Sequence, residues 1–141
     1  MIIEVRAKNC YVFEKNIEFS MKADMRNKKF ACNVYKENNF NVLKTAGIYG
    51  QNNVGKTCLI KCIRTIKKVL LNKKTEFMPN IFTKSSVCEL GVTFMLHGRV
   101  FSYDFKYDVE KEEYIYEAFS EILKDQYSNE KEVCWLKSDT I

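Results

Sequence analysis

The stretch from Tyr49 to Cys62 reads YGQNNVGKTCLIKC. Its centre, residues 50–57, matches the pattern G-x-x-x-x-G-K-[ST] at every fixed position, which is typical of a phosphate-binding loop between a strand and a helix. Glycines in such a loop permit backbone conformations that turn successive N–H groups toward phosphate oxygens at the positive end of a helix. The pattern therefore predicts a nucleotide-binding loop. The alternative is a strand-to-helix turn that binds no ligand.

The residue types of this loop predict individual roles. Lys56 is expected to reach the β- and γ-phosphates of a bound nucleotide and to be the residue on which phosphoryl transfer depends. The hydroxyl of Thr57 is expected to ligate Mg²⁺. The other expected nucleotide contacts within the motif and directly after it are Gly50, Gln51, Val54, Gly55 and Cys58.

Apolar periodicity predicts the elements on either side of the loop. Residues 42–49 are mostly apolar and are predicted as a short strand that runs into Gly50, whereas residues 57–72 have the period of an amphipathic helix. The apolar stripe of this helix predicts packing on a sheet. Its opposite face is basic, with no acid between Thr57 and Thr75, and is either an ordinary solvated surface or a surface for a partner. The basic face contains Lys61, Arg64 and Lys68.

Alternation of apolar and polar residues predicts strands elsewhere in the chain. Residues 3–7 and 17–23 form one predicted pair, and residues 88–96 and 101–109 form a predicted hairpin around a turn at His97-Gly98. The pattern continues at residues 114–118 and 133–136. The polar segments 24–40 and 73–86 are predicted loops, the first with a short element near residues 30–35 as an option.

Composition and charge limit the class of protein. With 141 residues, 46% of them apolar and 29% charged, the chain is expected to fold as one domain or as one lobe of a larger domain. Residues 1–103 carry 18 Lys and Arg against 7 Asp and Glu, whereas residues 104–141 carry 5 against 11. The basic part contains the glycine loop, which favours phosphate-bearing ligands and makes DNA a candidate partner.

The six cysteines are expected to be free thiols. The N-terminus does not resemble a signal peptide, and no apolar run is long enough to span a bilayer, so a cytoplasmic location and no membrane partner are expected. Cys58 and Cys62 are the only closely spaced pair and His97 is the only histidine, a pattern that does not predict a zinc site.

Two quoted segments carry a resemblance to a known family. MIIEVRAKNCYVFEKNIEFSM at residues 1–21 and VLKTAGIYGQNNVGKTCLIKCI at residues 42–63 resemble the N-terminus of AAA-family ATPases of the ABC-type, SMC-like class, such as the OLD-family and abortive-infection ATPases. The resemblance covers residues 1–110. It implies ATP as the nucleotide, with Asn52 and Asn53 as further contacts.

The same resemblance implies a fold and an assembly. The fold is an α/β structure, the N-terminal lobe of an ABC-type P-loop ATPase head, with a mixed sheet and P-loop helix in residues 1–86 and an antiparallel β-subdomain in residues 87–141. The expected assemblies are a homodimer that sandwiches ATP, or a hetero-assembly with another ATPase lobe or an effector nuclease or toxin. The biological context that it implies is bacterial anti-phage defence.

The sequence departs from that family at several motifs. The turn after the first strand has Tyr11 where the family has a basic residue, and Tyr11 is expected either to stack on the nucleotide or to cover the edge of the core. A Q-loop, an SGG-type signature, an Asp-Glu Walker B strand and a switch histidine are missing from the sequence. Asp104, in the nearest Walker B-like stretch, is expected to be a solvent-facing strand residue.

These departures predict that the chain binds ATP but needs further sequence or a partner for hydrolysis. The alternative is a non-hydrolysing, nucleotide-gated interaction module. A GTPase or a nucleoside kinase is disfavoured because the guanine-reading N-K-x-D element and an arginine-rich lid are missing.

Overall fold

An antiparallel sheet and one α-helix make up most of the described chain, which comprises residues 1–52, 54–125 and 129–139 of a computed structural model. In chain order the elements are β1 Ile2–Lys8, β2 Ile17–Ser20, a 3-10 turn Ala31–Asn33, β3 Val34–Glu37, β4 Phe40–Leu43, α1 Lys56–Leu70, β5 Val87–Leu96, β6 Arg99–Asp108, β7 Glu113–Lys124 and β8 Glu130–Asp139.

Six strands form one sheet in the order β2-β1-β5-β6-β7-β8, and each neighbouring pair is antiparallel. The expected α/β lobe with a mixed sheet is therefore wrong. All strand pairings in the described residues are antiparallel, and α1 is their only α-helix. β1 lies in residues 1–86 and pairs with β5, which lies in residues 87–141. One sheet therefore includes strands from both of the predicted parts of the chain.

The predicted strand at residues 42–49 is also wrong. The strand in this region, β4, ends at Leu43 and pairs with β3 in a separate two-stranded sheet, with one isolated antiparallel bridge from Val42 to Lys22, while residues 44–50 contain no strand. Asn38 and Asn39 both have positive φ, at 48° and 65°. These angles are those of a two-residue turn, which connects β3 directly to β4 in a hairpin. A local hairpin thus replaces the strand that was expected to run into Gly50.

The hairpin predicted around His97-Gly98 is confirmed. Leu96 lies opposite Arg99, and the two turn residues have φ values of 49° and 74°, as a tight hairpin turn requires. Two more predicted strands are confirmed as β7 and β8, each longer than its apolar pattern. The predicted helix is confirmed as α1, whose start lies one residue before the predicted one.

The main core lies between α1 and one face of the sheet. Leu59, Cys62 and Ile66 of α1 are buried there. They pack in one cluster with sheet residues that project from the same face, including Val5, Ala7, Leu90, Val92 and Phe105. A second cluster lies on the other face, where Phe40 and Val42 of β4 pack with Ile3, Met95 and Val100. The described part contains no helix that is long and apolar enough to cross a membrane.

A charged network crosses the face of the sheet opposite α1. The Arg6 guanidinium donates to both carboxylate oxygens of Asp104, at 3.0 and 3.1 Å. It also donates to Thr93 Oγ1 and to Ser102 Oγ, each at 2.9 Å, and to Glu4. Gly91 lies between Arg6 and Asp104 in the register of the sheet. A side chain at Gly91 would place its Cβ 2.0 Å from Asp104 Oδ1, so the pair requires glycine at this position.

We expect the substitution Gly91→Ala to lower the free energy of unfolding by about 1–3 kcal/mol, because the new methyl group displaces the Asp104 carboxylate from Arg6. Urea denaturation measures this loss. The matched comparison is Gly91→Ala in an Asp104→Ala background, where the clash is gone and the substitution should cost much less. Equal losses in both backgrounds would contradict this account of Gly91.

We also expect the two faces of α1 to differ in stability effects. Ile66 is 3% exposed and Ile60 is 56% exposed. Ile66→Ala should lower the free energy of unfolding by about 2–4 kcal/mol, whereas Ile60→Ala should change it by no more than about 0.5 kcal/mol. Thermal or urea denaturation of the two variants gives both values. Similar losses at the two positions would mean that α1 does not pack as described.

Candidate phosphate-binding site

The glycine loop leads directly into the N-terminus of α1. Gly55 precedes the first helical residue with φ 96°, in the left-handed region that favours glycine. Its carbonyl accepts the first helical hydrogen bond from the Leu59 N–H at 2.9 Å. A Cβ at Gly55 would lie 3.2 Å from both Val12 and Phe13. Both the backbone angle and the close approach of residues 12–13 therefore require glycine here.

Lys56 folds back over the loop. Its Nζ donates to the Gly50 carbonyl at 2.6 Å and also to the Gln51 carbonyl. Lys56 is the first residue of α1, so its charge belongs to the N-terminal turn of the helix, which contains no acid. A cation at the positive end of a helix is electrostatically unfavourable. A bound anion would relieve this repulsion, because it attracts both the helix end and the Lys56 ammonium.

A cavity of about 620 Å³ opens beside the loop, which is within the usual size range of small-molecule sites. Of the predicted nucleotide contacts, the cavity lining brings together Asn52, Gly55, Lys56, Thr57 and Cys58, and Val12 also lines it among the described residues.

Three other predicted contacts, Gly50, Gln51 and Val54, do not line the cavity. Gly50 and Gln51 contact the Lys56 ammonium through their carbonyls. The Val54 side chain is 59% exposed and does not line the cavity. Asn53 lies outside the described residues. The Thr57 side chain is exposed, which is the condition that a magnesium ligand at this position requires.

The described residues bring no acidic cluster to the loop. They contain no group of three or more His, Cys, Asp or Glu residues that could hold a metal ion. Asp104 lies on the face of the sheet opposite α1, where it binds Arg6. The predicted strand position of Asp104 is confirmed, but its side chain is only partly exposed to solvent because the carboxylate binds Arg6. The loop therefore has a cation and helix N–H groups for binding phosphate, but Asp104 cannot supply a carboxylate for catalysis there.

Tyr11 covers an edge of the core. Its hydroxyl lies 3.1 Å from Thr65 Oγ1 of α1, and its backbone N–H donates to the Met78 carbonyl at 2.8 Å. Burial raises the pKa of the Tyr11 phenol. Tyr11 packs against the main core cluster and does not line the cavity at the loop. Of the two predicted roles, this position supports core covering rather than stacking on a nucleotide at the loop.

Three cysteines belong to the core rather than to the site. Cys10, Cys62 and Cys88 are fully buried in one cluster, and all six cysteines of the chain are free thiols. Contact with the Cys62 thiol, together with burial, raises the pKa of Cys10 to about 12. A thiol with so high a pKa is a poor nucleophile and a poor metal ligand at neutral pH.

Sequence reasoning missed Val12 as part of the site. The sequence shows Val12 only as an apolar residue between Tyr11 and Phe13 in the turn that follows β1, and no local pattern places that turn against Gly55.

Comparison of the sequence with models of protein families finds no match, and comparison with curated proteins finds none either.

Proposed function

We propose that the protein binds Mg-ATP through residues 50–58, and that hydrolysis requires groups from further sequence or from a partner chain. One observation carries this proposal. The Lys56 ammonium is held by two loop carbonyls at the N-terminus of α1, beside a cavity of about 620 Å³. A concentrated positive field next to an open cavity favours a polyanionic ligand.

Binding would use the groups already present at the loop. Lys56 would exchange its Gly50 and Gln51 carbonyl acceptors for β- and γ-phosphate oxygens, and the first backbone N–H groups of α1 would donate to the same phosphates. The Thr57 hydroxyl would hold Mg²⁺, which screens the charge of the phosphates. Asn52 and Cys58 line the remaining wall of the cavity.

Hydrolysis needs more than binding. A carboxylate must hold the metal through water, and another group must position the attacking water. The resemblance to ABC-type ATPases supports a second ATPase lobe, in a homodimer or hetero-assembly, as the source of these groups. The same resemblance supports a role in anti-phage defence beside a nuclease or toxin. Reduced thiols in all six cysteines fit a cytoplasmic setting for that role.

A non-hydrolysing, nucleotide-gated interaction module is the second candidate. It is favoured by an apolar cleft of about 260 Å³ between α1 and strands β1 and β5, lined among others by Ile2, Ile63, Leu70 and Phe94. Both candidates share the ATP-binding step. They differ in whether a completing lobe or partner restores turnover, which would occur only for the ATPase.

We expect Lys56→Ala to weaken Mg-ATP binding about tenfold to a hundredfold, because a charge-assisted contact with phosphate is lost. Isothermal titration calorimetry measures the affinity, and phosphate release in the same samples should stay at background for this chain. Lys67→Ala is the matched control, since Lys67 is an exposed cation of α1 that does not line the cavity. Its affinity should equal that of the unmodified chain. No binding by the unmodified chain, or equal losses in both variants, would contradict the proposal.

Thr57 tests the magnesium part of the proposal. We expect Thr57→Ala to reduce the gain in ATP affinity that Mg²⁺ gives over EDTA, because the ligating hydroxyl is removed. Thr57→Ser keeps a hydroxyl and should retain most of that gain. The measurement is ATP affinity with Mg²⁺ and with EDTA for each variant. An unchanged magnesium effect in Thr57→Ala would exclude Thr57 as the ligand.

A further inference from the structure

A second cavity, of about 470 Å³, lies along the exposed face of α1. We call it the basic cleft. Its charged residues are Lys61, Arg64, Lys68, Lys74 and Glu76, so four cations face one carboxylate, and Tyr11 forms part of the wall. Val12, the next residue after Tyr11, lines the cavity at the glycine loop instead. The basic cleft is therefore a separate cavity from the proposed ATP site.

The cations of the basic cleft are not neutralised by the protein. Within the described ranges, Lys61, Arg64, Lys68 and Lys74 take part in no ion pair, and Glu76 is not close enough to any of them to form one. Two cations of the sheet, Arg6 and Lys8, are by contrast paired with carboxylates.

The helix itself is destabilised by this arrangement. Lys61, Arg64 and Lys68 follow one another at spacings of three and four residues, so their charges are neighbours on one face of α1. Like charges at these spacings lower helix stability, and α1 contains no acid to offset them. A row of phosphates would replace repulsion by attraction at each of the three positions.

The shape and the aromatic wall favour a single strand over a duplex. The three helical cations extend over about 10 Å of the helix axis, which suits a flexible backbone that follows a groove. The Tyr11 ring lies 5.6 Å from the Lys61 ammonium and is held from behind by its hydroxyl contact with Thr65. Positive grooves that carry an aromatic side chain are the usual surface for single-stranded nucleic acid.

We propose that the basic cleft binds the phosphodiester backbone of single-stranded nucleic acid, independently of the nucleotide at the glycine loop. Lys61, Arg64 and Lys68 each contact one phosphate, and Lys74 closes the cleft from the loop that follows α1. Recognition is through phosphate, and contacts to phosphate carry no information on base sequence.

The test is fluorescence anisotropy of a labelled oligothymidylate with the 141-residue chain over a salt series. The triple variant Lys61→Gln, Arg64→Gln and Lys68→Gln should bind about tenfold or more weakly at moderate salt. The slope of log affinity against log salt should become shallower by about 2, because three phosphate contacts are lost. The matched control is Lys15→Gln, Lys28→Gln and Lys29→Gln, which removes the same charge from three exposed lysines outside the basic cleft.

The control triple should keep the slope and most of the affinity. Equal losses in the two triples would overturn the proposal, because binding would then follow net charge. Tighter binding to a duplex than to the single strand would overturn it as well, as would no binding at all. Lys56→Ala should bind the strand normally, and the Lys61/Arg64/Lys68 triple should bind Mg-ATP normally, so failure of the ATP proposal and failure of this one are separate results. Unchanged circular dichroism of each triple establishes that it folds.

Discussion

The packing of the apolar stripe of α1 against one face of the antiparallel sheet fixes the positions of the glycine loop and of the basic cleft. Leu59, Cys62 and Ile66 are buried on that face, and each fully buried side chain of this kind contributes roughly 1.5–3 kcal/mol of hydrophobic free energy. Once the stripe is docked, the N-terminus of α1 has only one location, against residues 12–13 of the turn after β1. The glycine loop must therefore close where Gly55 meets that turn.

Docking α1 by its apolar stripe also decides where its charges lie. Lys56 is held over the loop at one end, and Lys61, Arg64 and Lys68 face outward along the side. On the opposite face of the sheet the cation is paired, since the Arg6 guanidinium donates hydrogen bonds to Asp104, Glu4 and two hydroxyls. Arg6 of the sheet is thus paired within the protein, whereas Lys61, Arg64 and Lys68 of α1 remain available to phosphates. This difference links the fold to both proposed ligands.

Local patterns predicted the local structure well. The period of residues 57–72 predicted α1, and alternation around His97-Gly98 predicted β5 and β6, because each of these elements is stabilised by contacts close in sequence. The same patterns failed for residues 42–49. Their apolar character fitted a buried strand, but strand pairing depends on partners elsewhere in the chain, and the Asn38-Asn39 turn pairs β4 with β3. The mixed sheet was expected from the resemblance to ABC-type ATPases and not from periodicity, and it is not what the strands form.

The candidate site was likewise predicted where it is contiguous in sequence and missed where it depends on distant contacts. The motif at residues 50–57 predicted which residues surround the helix N-terminus, because the loop is contiguous in sequence. It did not predict Val12 or the separation of the two cavities, because both depend on how the turn after β1 meets α1. The basic period of α1 did identify Lys61, Arg64 and Lys68 as one face, but not the cavity that they line. That cavity depends on the position of Tyr11, whose role the sequence left open between two alternatives.

The central claim is that the N-terminus of α1 and its loop form a phosphate cradle on an antiparallel sheet. The most direct test is titration of the isotopically labelled protein with Mg-ATP while the backbone amide resonances are followed by NMR. The account predicts that the amides of Gly55, Lys56, Thr57 and Cys58 shift most and together, while those of β7 and β8 stay in place. Shifts centred on another surface, or no shift at these four amides at saturating Mg-ATP, would contradict it.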